Sequence, residues 1–299
     1  MHFIGRPAVM GIVNVTPDSF SDGGRYLDPA AAVGHGLALA AAGADVLDVG
    51  GESSRPGAVP VSAEEETRRV LPVVRRLATE AGVPVSIDTT KAAVAAAALE
   101  AGAAVVNDIS AGRADPDMLP LVAGAGAGYV VMHMQGTPAT MQLDPTYADV
   151  VAEVGEFLRR RLAAAEEAGI ERSRLVADPG IGFGKTAAHN LELLARLPEL
   201  VEAVDGTPVL VGTSRKAFIG SLLAPAGGPA LGVEEREEGT LATVVWALDR
   251  GAAMVRVHDV RPAVHAVRLL QALRAADPGP APEAAAGGQA GARDDGARS

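Results

Sequence analysis

The sequence predicts an α/β fold, a (β/α)8 TIM barrel followed by a disordered C-terminal tail. Eight short apolar runs are spaced along the 299 residues, and each ends at a polar, chemically capable residue. Helical periodicity fills the gaps between them. Parallel strands covered on both faces read as continuous apolar runs, and strands alternating with helices give a parallel sheet. Eight such units favour closure over an open sheet, and about 250 residues suffice for it.

The elements follow in order. Residues 9–13 run into Asn14, and the loop 14–25 mixes Gly, Pro, Ser and Asp with Phe20. A helix over 28–42 precedes the run 46–49, which opens on Gly50-Gly51-Glu52-Ser53-Ser54-Arg55-Pro56-Gly57. Both loops exceed the about 2–6 residues usual for βα turns, and their length suits closure over a substrate. Helix 63–81 takes Ser62 as its N-cap, with three glutamates in the first turn. Run 85–87 ends at Asp88 before helix 91–101, and 105–106 meets Asn107-Asp108 before helix 116–124. Run 129–132 reaches His133 before helix 147–168, and 175–177 ends at Asp178 before helix 189–203. Run 209–211 leads into Gly212-Thr213-Ser214-Arg215-Lys216, followed by a mobile loop over 224–233 and helix 238–250. The last run, 254–257, meets His258-Asp259 and helix 260–276. Gly43, Gly82, Gly102 and Gly169 stand where left-handed C-caps belong. Residues 277–299 are rich in Pro, Gly and Ala with no apolar period, which predicts disorder. The domain reading is therefore one barrel over 1–276 and a tail.

Composition narrows the function. Hydrophobic residues make up 48% but aromatics only 3%, so Ala, Val and Leu must fill the core. The absence of cysteine removes disulfides, thiolate metal sites and cysteine nucleophiles. A net charge of −11 makes nucleic acid and anionic membranes poor partners. The apolar N-terminus lacks a basic leader, and no segment reaches the ~18 apolar residues of a membrane span, so a cytoplasmic protein is expected. Only three lysines occur against 23 arginines, and Lys185 and Lys216 sit in Gly-bearing strand-end loops. Lysine is a compact point charge that arginine cannot mimic.

Two groups of strand-end residues carry the chemistry. Asp88, Asn107 and Asp178 offer an acid, an amide and an acid from three strands. They suit the amidine-like edge of a flat heterocycle such as a pterin or guanine. A divalent-metal cage needs more carboxylates, or histidines at helical spacing. A second group, Asn14, Arg55, Ser214-Arg215, Arg256 and His258, suits phosphate or pyrophosphate. The glycine-rich stretch 180–186 fails the spacing of both the phosphate loop and the dinucleotide fingerprint. Its glycines are read as letting the backbone approach a planar ligand, with Phe183 packing on it.

Met10-Gly11-Ile12-Val13-Asn14-Val15-Thr16-Pro17-Asp18-Ser19-Phe20-Ser21-Asp22-Gly23-Gly24 resembles the opening signature of dihydropteroate synthases. The 50–57 loop, Ser86-Ile87-Asp88-Thr89, Asn107-Asp108, Met132-His133-Met134-Gln135-Gly136, Asp178-Pro179-Gly180, Ser214-Arg215-Lys216 and Arg256-Val257-His258 continue the resemblance in order over about residues 7–273. It implies an enzyme, usually a homodimer, that joins 6-hydroxymethyl-7,8-dihydropterin diphosphate to p-aminobenzoate and releases pyrophosphate with Mg2+. By the same resemblance Asp88, Asn107 and Asp178 hold the pterin, Met132 and Phe183 flank it, Gly212 borders it and Lys216 reaches its polar edge. Arg256 stacks on the ring and touches phosphate with His258, while Asn14 meets pyrophosphate and Mg2+. Loops carrying Phe20, Asp22, Ser54, Arg55 and Pro56 enclose p-aminobenzoate, and Ser54 and Arg55 also meet the pyrophosphate. Phe183, Lys216 and Ala217 complete the p-aminobenzoate pocket. The chemistry falls to Asp22, Arg55, Lys216, Arg256 and His258. Some family members carry a hydroxyl where this chain has Ala217, so a benzoate carboxylate here must use helix N-terminal amides. A pterin-binding methyltransferase barrel and a catalytically silent pterin-binding paralogue are the alternatives.

Overall fold

A computed structural model describes residues 6–16, 29–54 and 57–277. The expectations on Phe20, Asp22, Arg55 and Pro56, and on the tail beyond residue 277, lie outside the described residues. The first half of the chain alternates β1 (Ala8–Asn14), α1 (Pro29–Ala41), β2 (Val46–Gly50), α2 (Ala63–Glu80), β3 (Val85–Asp88), α3 (Ala92–Glu100), β4 (Val105–Asp108) and α4 (Met118–Ala125). The second half runs β5 (Gly128–Met132), α5 (Val150–Glu167), β6 (Leu175–Asp178), α6 (Ala187–Ala195), α7 (Leu197–Ala203), β7 (Leu210–Val211), α8 (Ala217–Leu223), α9 (Glu237–Asp249), β8 (Met254–Val257) and α10 (Val260–Ala276). All strand pairs are parallel, in the order β6-β5-β4-β3-β2-β1-β8-β7. A single bridge, Ala177 to Val209, links the two ends, so the barrel is nearly closed. Among the described residues no helix is long and apolar enough to cross a membrane.

The period of two along each strand divides the core in two. Outward residues such as Leu47, Val49, Ile87, Val106, Val131 and Val255 pack with the helices in one large apolar cluster. Inward residues Ala8, Met10, Val46, Val105, Val130, Val176, Leu210 and Met254 form a separate plug inside the barrel. One step further along the same inward rows stand Asp48, Asp88, Asn107, Met132, Asp178, Gly212 and Arg256. The plug is a dry floor, and the site is the next layer up.

Two elements depart from the sequence reading. The helix expected over 189–203 is α6 and α7, broken at Arg196, whose backbone leaves the helical region. Pro198 has no N–H for the carbonyl of Leu194. That carbonyl instead accepts the indole N–H of Trp246 at 2.8 Å, and Ala195 O accepts Arg250 Nη1 at 3.2 Å. Helix α8 has no counterpart in the sequence pattern, because seven residues are too short a window for a 3.6 period to stand out. The loop expected to be mobile before α9 is tied at its end: Leu231 N donates to Gly220 O, and Arg236 donates to Leu231 O. The capping signals hold. Ser62 Oγ accepts Glu65 N, and the glycines after α1, α2, α3 and α5 all take positive φ.

Candidate active site

At the floor of the site three strands exchange charge. Arg256 on β8 donates through Nε to Asp48 Oδ2 at 2.7 Å and through Nη2 to Asp88 Oδ2 at 2.8 Å. Asn107 Nδ2 donates to the same Asp48 oxygen at 2.9 Å. The guanidinium is therefore fixed along its edge by two carboxylates. Asp48 is fully buried, and its Oδ1 and the hydroxyl of Ser86, its registered neighbour on β3, find no partner among the described residues. Burial pushes Asp88 above the usual carboxylate range, to about 7, against the pull of Arg256.

Asp178 and Lys216 complete this layer. Asp178 Oδ1 accepts Gly180 N at 2.7 Å, which fixes the carboxylate at the mouth of β6. Burial raises it to about 6, opposed by that N–H and by the charges of Lys216, Arg256 and Lys185. Burial lowers Lys216 to about 8, with Arg256 pushing the same way and Asp178 and Asp88 opposing. Its ammonium lies 4.0 Å from the centre of the Phe183 ring. Met132 and Phe183 join Ile109, Met134 and Met141 in a small apolar cluster on one flank. The predicted pterin residues are thus brought together, with Gly212 opposite, against Arg256 Cβ.

At the rim, His258 pairs with Ser214. Ser214 Oγ accepts His258 N at 3.1 Å and lies 2.9 Å from its Nδ1. Ser214 thereby fixes the orientation of the imidazole, and an imidazole N–H suits an anion. Arg215, grouped with the anion binders in the sequence reading, takes a different role. Its side chain pairs with Asp259 at 3.1 Å and reaches Glu234 at 3.5 Å, so it braces α10 and the segment before α9. Asn14 ends β1 beside Gly50, half-buried, and Ser54 is half-buried in the next loop. Ala217 opens α8 directly after Lys216, so amides are the only groups it offers. Among the described residues no group of three acids or histidines is gathered that could hold a metal ion.

The chain and its fold have close counterparts among known proteins. The pterin binding enzyme family matches residues 10–258. The dihydropteroate synthase of Mycobacterium leprae is 51% identical over 271 residues, 90% of this chain and 94% of that protein. This chain belongs to the dihydropteroate synthase family. Among solved structures, Xanthomonas albilineans dihydropteroate synthase with 4-aminobenzoic acid superposes with a TM-score of 0.83 at 51% identity, covering 91% of this chain and 94% of that one. The same enzyme in complex with 7,8-dihydropteroate gives 0.81 at 48% identity, covering 92% and 96%.

Within this dihydropteroate synthase barrel, the glycine-rich loop after β6 corrects one expectation. Its glycines serve the approach of protein to protein. A Cβ on Gly180 would collide with the carbonyl oxygen of His133, and one on Gly184 would stand 2.5 Å from that of Gln135. Gly182 passes the stem of Lys216 at 3.1 Å. Sequence reasoning also passed over Asp48. Its signal was there, a carboxylate inside the otherwise apolar run 46–49, which an inward strand position makes costly unless it is paired. Lys91, the third lysine, was given no role. It bridges Glu52, at the root of the 50–57 loop, to the buried Glu66 on α2.

Proposed function

We propose that this chain condenses 6-hydroxymethyl-7,8-dihydropterin diphosphate with p-aminobenzoate to give 7,8-dihydropteroate and pyrophosphate. The observation that carries the reading is the buried ring of Asp88, Asn107, Asp178, Lys216 and Arg256 above an apolar floor, in a member of this family. Asn107 donates one N–H to Asp48, which fixes the plane of its carboxamide and leaves its oxygen as an acceptor and its second N–H as a donor. Asp178 accepts Gly180 N–H through one oxygen. Two acceptors on neighbouring strand ends suit the N–H donors of the pterin's amidine edge. The face of Arg256 suits the ring.

Departure of pyrophosphate is the demanding step. We assign the diphosphate to His258, Arg256, Asn14, Ser54 and Arg55. The carboxamide oxygen of Asn14 is a hard ligand of the kind that would hold Mg2+. Bound there, Mg2+ would neutralise charge on the leaving group. An aryl amine is neutral at pH 7 and needs no strong base. We infer a loose displacement, in which Asp22 would stabilise the positive charge developing on the pterin methylene and the two long loops would shield it from water. Phe20, Ser54, Pro56, Phe183, Lys216 and the first amides of α8 at Ala217 are assigned to p-aminobenzoate.

A homodimer accords with exposed Leu191 on α6, Leu222 and Leu223 on α8, and Val245 and Trp246 on α9, helices that pack against one another. Sedimentation of the pure protein at a monomer's mass would remove the dimer. The decisive assay is pyrophosphate release from the pure protein with both substrates and Mg2+. Release that depends on p-aminobenzoate is expected. Pterin binding without release would indicate a silent paralogue, and release of no pyrophosphate with methyl transfer the methyltransferase alternative.

A further inference from the structure

Lys185 is almost wholly buried, yet the proposed chemistry does not use it. It follows the last glycine of the loop after β6, and its side chain turns back underneath that loop. Nζ lies 3.0 Å from Gly180 O, 3.0 Å from Phe183 O and 2.8 Å from His133 Nδ1. An ammonium has three donors, and here are three acceptors. His133 can accept because its ring stays neutral: burial, with the charges of Lys185 and Arg113, holds it down to about 2. Burial also lowers Lys185 to about 7, with Asp178 opposing. Asp178, Lys216 and, beyond His133, Arg113 and Tyr147 are the ionisable groups around this centre.

The loop has few other freedoms. Gln142 donates to Gly182 O at 2.8 Å, Tyr147 to Gly184 O at 2.7 Å, and Gly182 N donates to Asn190 at 2.7 Å. These contacts hold the flanks. Among the described residues only Lys185 grips the carbonyl of Phe183, the residue whose ring faces the Lys216 ammonium.

We infer that Lys185, accepted by His133, is a positioning residue that sets the Phe183 ring against Lys216 and so shapes the pterin site. This rests on the pterin reading of that site. The geometry is specific to lysine. A planar guanidinium is larger and cannot direct three N–H groups along these tetrahedral lines. In a chain with 23 arginines and three lysines, such a requirement also accounts for a lysine here.

The test combines Lys185→Met, Lys185→Arg and Phe183→Ala. Lys185→Met should raise KM for the pterin diphosphate about tenfold, leave kcat within about twofold, and fail to be rescued by Lys185→Arg. In the Phe183→Ala background the same change should shift KM by less than about twofold, because the two residues act as one unit. Hydrogen exchange without ligand should show about tenfold faster exchange in residues 180–184 of Lys185→Met, with β6 and α6 unchanged. Equal losses in both backgrounds, full rescue by arginine, or unchanged exchange would each overturn the inference. A wild-type protein that binds no pterin sinks the functional reading instead, and the exchange experiment still decides the clamp.

Discussion

The floor and the rim of the site are built by opposite means. At the floor, Arg256, Asp48, Asp88 and Asn107 hold one another across four strands, so each ligand-facing group is also a partner of another buried group. At the rim, His258 pairs with the hydroxyl of Ser214, away from the floor's charge network. Function and stability are coupled in the first region and separable in the second. The physical reason is burial. A charge away from water needs a partner whether or not a ligand is present.

The largest effect should come from Arg256→Met. It leaves Asp48 and Asp88 buried without their cation, a change of the kind that costs about 3–5 kcal/mol. Chemical denaturation should register that loss of stability together with loss of pterin binding. A stability change under about 1 kcal/mol would break the comparison. Asp178→Asn should cost about 2 kcal/mol of pterin affinity, as a charge-assisted contact becomes a mismatched amide. Its folding stability should be kept, since an amide oxygen can still accept Gly180 N–H. Calorimetry with a phosphate-free pterin separates the two.

Acidity should move stability and binding in opposite directions. Burial holds Asp178 at about 6 and Asp88 at about 7, both above the ordinary carboxylate range of the unfolded chain. Between about pH 4 and those values the folded protein binds more protons than the unfolded chain. Their contribution to stability is therefore complete below pH 4 and is lost as pH rises through 6 to 7. Pterin affinity should climb over the same interval as the carboxylates ionise. Parallel trends in melting temperature and affinity from pH 5 to 7 would argue against ionised acids as the ligand groups.

At the rim, His258→Ala should weaken pyrophosphate about tenfold, or ~1.4 kcal/mol, and leave a phosphate-free pterin and the melting temperature nearly unchanged. Equal loss of both ligands would show that rim and floor are not separable. Truncation after Asp277 should have the smallest effect. Its composition offers little apolar surface to bury, so melting temperature and turnover should stay the same.

The sequence by itself determined the barrel, because eight doubly covered strands leave eight apolar runs. It also determined the strand-end residues Asp88, Asn107, Asp178, Arg256 and His258, which end those runs at one mouth of the barrel. Local punctuation was equally plain at Ser62 and the C-cap glycines, since capping depends only on near neighbours. Tertiary structure alone decided who pairs with whom. Arg215 and Arg256 look alike in sequence, yet one braces Asp259 on the outside and the other spans Asp48 and Asp88 within. The glycines of 180–184 looked made for a ligand, and the structure packs them against the 133–135 backbone and Lys216. Lys185 looked like Lys216 and lies beneath the loop. Strand periodicity sets the face on which a residue points. The partner it finds there depends on strands and loops distant in sequence, and no local pattern records that.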